Sequence, residues 1–289
     1  MKTFSFESIG TRWQIDILEN ISRTKLEEIR VNVQSFLEEF TVTYSRFSAE
    51  STVTRISEKI GRYKFPESAR ELFSIYKKLY DLSDGRFTPL IGDTLSLAGY
   101  DRKYSLVSKK MTRPKKWEEV MQFSYPYLST HEKVILDFGA CGKGYAIDRI
   151  SHLLKEAKIK SYIIDASGDL YISEAKNTRI GLENPLDPKQ VIGVATINNV
   201  SICASSLNRR KWDKYSHIID PRTLASPEGI LGVWVISKKA VLADALATAL
   251  FLDRPDKFKK DFKFEYLILY SDFSISKSMK FPAEIYYNN

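Results

Sequence analysis

At 289 residues, 43% hydrophobic and 12% aromatic, the chain is long and apolar enough for one large or two ordinary globular domains, which excludes a disordered or fibrous polymer. Its net charge of +8 and isoelectric point near 9.2 suit nucleic acid, anionic lipid or a phosphorylated ligand. The basic residues are mostly dispersed, however, and the densest groups, Lys109-Lys110-Met-Thr-Arg113-Pro-Lys115-Lys116, Arg209-Arg210-Lys211 and Lys257-Phe-Lys259-Lys260, come without an RNP, zinc-finger or basic-zipper pattern.

In chain order, Thr11 to Leu18 alternates in strand fashion. Thr24-Lys-Leu-Glu27 has the spacing of a capping box and predicts a helix with Leu26, Ile29, Val33, Phe36, Leu37 and Phe40 on its apolar face. Ser68-Ala-Arg-Glu71, after Pro66, predicts a second helix through Leu72, Phe73, Tyr76, Leu79 and Tyr80, stopped by Asp84-Gly85. Residues 86–131 show no regular period, and 101–117 reads as a polar, basic inserted loop. Val134-Ile-Leu-Asp137 reads as a strand that turns through glycines into an amphipathic helix from about Lys143 to Ala157. Short β-like runs follow at 161–165, 169–173, 178–182, 191–197 and 200–204, then at 231–237, 265–270 and 273–279, with a helix around Asp244 between 237 and 265. Runs of consecutive strands predict antiparallel hairpins and an α+β class. No linker or internal sequence repeat divides the chain, so residues 1–289 read as a single unit.

Cys141 and Cys203 form no CxxC pair, and His131, His152 and His217 are scattered, so neither a disulfide framework nor a zinc site is indicated. The first residues carry no apolar signal core and no stretch approaches the ~18 apolar residues of a membrane span, so the chain as given reads as cytoplasmic.

Three segments could carry chemistry. The turn Asp137-Phe-Gly139-Ala-Cys-Gly142-Lys143-Gly144 offers helix N-terminal amides and a lysine to an anion, although it is neither GxGxxG nor a Walker loop. Asp244 and Thr248 stand four apart on a helix, so a carboxylate and a hydroxyl share one face, as a magnesium half-site needs; an isolated pair of this kind is more often a solvated acid beside a packing residue. His217, just before Asp220-Pro221, could orient a ligand, serve as acid or base, or be a structural histidine. Tyr162-Ile-Ile-Asp165-Ala-Ser167-Gly168-Asp169 reads as a plain hairpin. No GxSxG elbow or HExxH pair is present.

Taken together and in order, Ser45-Arg46-Phe47 with Glu50-Ser51, Ser83-Asp-Gly-Arg-Phe87, Leu136 to Asp148, Ser167-Gly-Asp169, Ser216-His-Ile-Ile-Asp-Pro-Arg-Thr223 and Ala243-Asp-Ala-Leu-Ala-Thr248 resemble the ApbE family, the FAD:protein FMN transferases. The resemblance implies a duplicated, T-fold-like α+β architecture with largely antiparallel sheets packed against helices. It implies FAD as substrate with Mg2+ on its diphosphate, and transfer of the FMN half to a Thr or Ser of a target protein with release of AMP. The alternative within the same fold is a flavin-binding protein or an FAD pyrophosphatase that yields FMN and AMP.

Matched position by position, the resemblance implies that Asp244, Thr248 and main-chain oxygens of Ala140 and Ala247 hold the metal. Ile9, Phe47, Arg86, Phe87, Thr88, Asp137, Lys143 and Ile219 would line the FAD, and His217 would be the active-site histidine, with His217 and Asp137 both candidates to deprotonate the acceptor hydroxyl. Three positions depart from the family pattern: Thr88 stands where a carboxylate is usual, Leu207 and Leu224 where glycines are. A leucine for glycine is expected to close positive φ.

Overall fold

The computed structural model describes residues 1–174, 177–207 and 210–286; Arg209 of the second basic group lies outside them. In chain order it contains β1 (Lys2–Ser8), β2 (Thr11–Ile17), α1 (Arg23–Tyr44), α2 (Thr52–Glu58), β3 (Arg62–Lys64), α3 (Ala69–Leu82), α4 (Gly92–Leu97), α5 (Trp117–Val120), β4 (Met121–Ser124), β5 (Tyr127–Thr130), α6 (Gly142–Glu156), β6 (Tyr162–Ala166) and β7 (Asp169–Ser173). It continues with β8 (Thr178–Asn184), β9 (Asp187–Ile197), β10 (Val200–Ser206), β11 (Lys211–Trp212), β12 (Tyr215–Ser216), β13 (Ile230–Ser237), α7 (Ala240–Leu252), α8 (Pro255–Lys259), β14 (Glu265–Tyr270), β15 (Ile275–Lys277) and β16 (Ala283–Ile285).

An eight-stranded sheet in the order β1-β2-β6-β7-β10-β13-β14-β15 organises the chain, and its pairings are antiparallel. The order divides into two alike halves. In the first, hairpin β1-β2 leads through α1 and α6 to hairpin β6-β7; in the second, β10-β13 leads through α7 to β14-β15. This is the duplicated α+β arrangement that the family resemblance implies, and it is repeated in topology without a repeat in sequence.

Alternation along the strands fixes which side faces which layer. Trp13, Ile15, Ile17, Tyr162 and Ile164 bury one face against Ile29, Val33 and Leu37 of α1 and Ile147, Ile150 and Leu154 of α6. Val233 and Val235 point to α7, whereas Trp234 and Ile236 point the other way, onto Leu182, Ile192 and Ala195 of the small sheet β16-β9-β8. On the far side of α7 lie α3 and the sheet β3-β5-β4, so α7 is enclosed on all sides and only Leu242 and Thr248 are part-exposed. A helix apolar all round belongs in such a place; Asp244 is its sole charged residue.

The start of α7 is capped from another helix. Its N-cap residue Lys239 makes no side-chain cap bond, and the Asp148 carboxylate of α6 instead accepts from Ala240 N and Val241 N, both at 2.9 Å. Burial pushes the Asp148 carboxyl up to about 6, partly opposed by those two amides. The two helices touch at Gly144, where an added Cβ would come within 2.3 Å of the Ala240 carbonyl oxygen and 2.7 Å of Asp244 Cβ.

Several sequence readings shift. The cap of α1 is Ser22, whose Oγ accepts from Lys25 N at 3.1 Å, so the helix starts ahead of the Thr24 box. Val134 to Asp137 pairs with no strand: Ile135 N donates to Asp93 Oδ2 (3.1 Å) and Asp137 N to Pro89 O (2.7 Å), so extended backbone is satisfied by a loop rather than a ladder. Residues 86–131 hold α4, α5, β4 and β5, elements too short to show a period. No described helix is long and apolar enough to cross a membrane.

Gly144→Ala is expected to lower unfolding stability by about 1–3 kcal/mol through overpacking between α6 and α7, measured by denaturant titration; an unchanged midpoint would mean that the helices separate freely at this point.

Candidate active site

A cavity of about 420 Å³, within the range of small-molecule sites, opens between the helical layer and the loops after β10 and α3. Its wall includes Ile9, Phe47, Arg86, Phe87, Thr88, Asp137, Ala140, Lys143, His217, Ile219, Asp244 and Thr248, so residues far apart in sequence converge as expected. Ala247 is the one candidate that does not reach it. It is fully buried within α7, where helical geometry directs its carbonyl along the helix to the amide four residues on.

Three charged groups form the polar floor. Lys143 Nζ lies 2.5 Å from Asp169 Oδ2 and 3.5 Å from Asp244 Oδ1. Asp169 Oδ1 accepts from Ala204 N at 3.0 Å, and Asp244 Oδ2 accepts from Gly144 N at 2.8 Å, one of the free donors at the start of α6. Both carboxylates are 2% exposed, so two buried negative charges share one ammonium. Burial alone would favour the neutral lysine, but Asp169 and Asp244 outweigh it and hold the ammonium well above its ordinary value. For Asp244, burial dominates and pushes the carboxyl up to about 7, with Lys143 and the Gly144 amide opposing. In the sequence Asp169 belongs to a hairpin and to the Ser167-Gly-Asp169 motif of the resemblance, without an assigned role; the further signal was a charged residue beginning the apolar run Leu170-Tyr-Ile172.

This floor tests whether a divalent cation fits. Among the described residues no group of three or more His, Cys, Asp or Glu side chains could hold a metal alone. The donors present are the Asp244 carboxylate, the Thr248 hydroxyl one turn on and the turn at Ala140, all on the cavity wall beside an uncompensated negative charge. Hard oxygen donors, few in number and next to a space for substrate, fit magnesium, which keeps waters and bridges to phosphates.

Above the floor, Asp137 is held on both oxygens, by Arg46 Nε at 2.5 Å and Gly139 N at 2.7 Å. Arg46 is 6% exposed, its guanidinium 4.2 Å from the Phe47 ring centroid and 4.9 Å from that of Tyr100. Its Nη2 is buried without a partner, which makes Arg46 a further wall residue. Arg86 donates to Asp220 Oδ2 from Nε (3.1 Å) and Nη2 (2.5 Å), so its charge is spent on the turn that follows His217. Phe87 packs 5.2 Å from Tyr76, and Thr88 Oγ1 accepts from Leu90 N at 3.2 Å. Where the family pattern has a carboxylate, Thr88 thus caps a turn.

Two backbone features concern sequence-predicted positions, the first of them on the wall. Ile9 adopts φ 53 in the tight turn Ile9-Gly10 between β1 and β2, a conformation costly for a β-branched residue and one that collects at functional sites. Leu224 adopts φ 59, so the expectation that leucine would close this conformation is overturned: Leu224 N donates to Asp220 O (2.8 Å) and Asp220 N to Ala225 O (2.9 Å), and the turn imposes the left-handed geometry on the leucine.

His217 follows β12 and its main-chain N–H donates to Arg210 O at 3.1 Å. Its Nδ1 is buried without a partner. Burial, then the cations Arg210 and Lys143, lower its pKa to about 4 from 6.5, so the ring is neutral at physiological pH and keeps one nitrogen as an acceptor. Because the unfolded chain binds this proton more readily, stability from neutral His217 is complete above pH 6.5 and is lost as pH falls through 4. His217→Asn is therefore expected to lose less stability than the wild type between pH 6.5 and 4 in parallel thermal melts; superimposable pH profiles would show that the ring is solvated.

With this geometry in place, the comparisons with known proteins are consistent. The sequence model of the ApbE family matches residues 9–265. The FAD:protein FMN transferase of Escherichia coli (strain K12) is 23% identical over 287 residues, covering 91% of this chain and 82% of its own; that of Rhodobacter capsulatus is 28% identical over 183 residues, covering 58% and 35%. Among solved structures, the flavin transferase ApbE from Vibrio cholerae superposes with a TM-score of 0.82 at 19% identity over 97% of both chains. The ApbE protein from Thermotoga maritima gives 0.83 at 22% identity, over 98% of this chain and 99% of its own. The chain belongs to the ApbE family.

Proposed function

We propose that this protein is a magnesium-dependent FAD:protein FMN transferase. The observation that carries the reading is the buried floor on which Asp169 and Asp244 share the single Lys143 ammonium at the base of an open cavity. Such a floor accepts a cation and a diphosphate together. The names of the relatives supply the substrate.

In the reaction, the hydroxyl oxygen of an acceptor Ser or Thr bonds to the phosphorus of the FMN half, and the bond from that phosphorus to the bridging oxygen breaks. AMP leaves with that oxygen. Magnesium held by Asp244, Thr248 and the Ala140 main chain would supply charge neutralisation at the diphosphate. Lys143 adds a fixed positive charge beside it, so catalysis is largely positioning and electrostatics. His217 is favoured as the group that takes the hydroxyl proton, because its ring is neutral and lines the cavity, whereas both Asp137 oxygens are engaged. Phe47, Tyr100 and Tyr104 add aromatic side chains to the cavity wall.

The test is incubation with FAD, magnesium and an acceptor, reading AMP and covalent protein-bound flavin together. Both should form in equal amounts with magnesium, and Asp244→Ala should abolish both. His217→Gln should lower kcat by about 10²–10⁴ while FAD binding, read by flavin fluorescence, holds. AMP released at the same rate with no acceptor would instead identify an FAD pyrophosphatase.

A further inference from the structure

The part of the excursion between α4 and α5 that runs from Asp101 to Lys116 carries none of the transfer chemistry. Residues 101–116 carry seven basic residues against one acidic residue, in a chain whose net charge is +8. Lys115 pairs with Glu132, and Arg102 donates to Thr54 Oγ1 at 2.6 Å. Lys103, Lys109, Lys110, Arg113 and Lys116 are exposed and lie within no ion pair with a described acidic residue.

The segment lacks regular structure yet is pinned. Asp101 accepts from Lys103 N (2.8 Å), Ser105 N (3.1 Å) and Ser105 Oγ (2.5 Å). Leu106 N donates to Gly99 O (2.9 Å), Lys109 N to Leu97 O (2.7 Å), and Thr94 Oγ1 to Thr112 O (2.9 Å). Gly99, at φ 107, is so close that a Cβ there would meet the Leu106 carbonyl carbon at 2.7 Å. Tyr104 and Leu106 are held at φ 51 and 54, a disfavoured region for residues with a side chain. The result is that Tyr104, Leu106 and Val107 stand 53%, 48% and 62% exposed, an apolar group displayed to water by a fixed backbone.

This display borders the cavity on the side of His217. Tyr104 lines the cavity and stacks on Phe47, with centroids 5.1 Å apart and 10° between planes. Tyr100, at the start of the loop, accepts from Arg210 Nη1 at 3.0 Å, and the Arg210 carbonyl accepts the His217 amide.

We propose that this rim docks the acceptor protein, gripping a segment that carries carboxylates on either side of its Ser or Thr and an apolar side chain against Tyr104, Leu106 and Val107. The inference rests on the transferase reading. The exposed cations of this pinned loop, outside any ion pair with a described acidic residue, steer an acidic segment to it and discriminate against a basic one. The apolar group argues for a polypeptide over nucleic acid, since a phosphate backbone offers nothing to cover it.

The experiment uses three fluorescent peptides with a central threonine flanked by aspartates, by glutamines or by lysines, each with one leucine, and measures binding to the wild-type protein by anisotropy with FAD and magnesium present. The aspartate peptide should bind at least roughly tenfold more tightly than the lysine peptide at low salt, and the difference should shrink at high salt. In a variant combining Lys103→Ser, Lys109→Ser and Lys110→Ser the preference should vanish while FAD binding is unchanged. Equal binding of the three peptides to the wild type, or tighter binding of oligo-dT than of the aspartate peptide at the same salt, would overturn the inference. Transfer is scored separately on the same peptides as AMP release: docking preference without AMP would count against the transferase reading alone, and transfer indifferent to flanking charge against the docking inference alone.

Discussion

Taking Asp169 and Asp244 out of water around the single Lys143 ammonium costs solvation free energy that one cation only partly returns, and three elements of the fold are committed to keeping the arrangement in place. The lysine comes from the first turn of α6, one carboxylate from the start of β7 and the other from the middle of α7. A cluster built this way is destabilising by itself. It is maintained because the apolar surroundings of α7 outweigh it, and the uncompensated charge is what makes the place receptive to a further cation.

The architecture serves that purpose. Two topologically alike halves bring α6 and α7 side by side, and Gly144 lets them approach closely enough for the Gly144 amide to reach Asp244. Asp148 completes the contact by capping α7 from α6. The carboxylate that faces the cavity and the one that caps the helix are thus held by the same helix pair, one in each role. Around this floor the loops supply the rest of the wall: the rings of Phe47 and Tyr100 about the Arg46 guanidinium, a neutral imidazole at His217 and the strained turn at Ile9.

Strand β2 was legible because one buried face imposes a period of two, β13 as a short apolar run that is buried on both faces, and α6 and α7 because apolar residues recur through their length. Val134 to Asp137 has the composition of a strand but no neighbour to pair with, and a ladder partner is not written in a local sequence. The duplication was legible through the family resemblance alone, since topology repeats here while residues do not. Of the site, the residues that face the cavity through their own side chains were found, whereas Asp169 and Arg46 lay in motifs of the resemblance with no assigned role, because burial of a charge becomes visible only when the layers are assembled. At Leu224 the local reading failed, because hydrogen bonds of the Asp220 turn override the leucine's own preference.

The account turns on whether the charge deficit at Asp244 is where a divalent cation meets the dinucleotide. A crystal structure of the wild-type protein grown with FAD and manganese, with anomalous scattering recorded at the manganese edge, addresses this directly. The account predicts a single strong peak between the Asp244 carboxylate, the Thr248 hydroxyl and the diphosphate of the bound nucleotide. Bound FAD with the peak absent from that place, or with Lys143 still lying between both carboxylates and the diphosphate turned away from them, would contradict it.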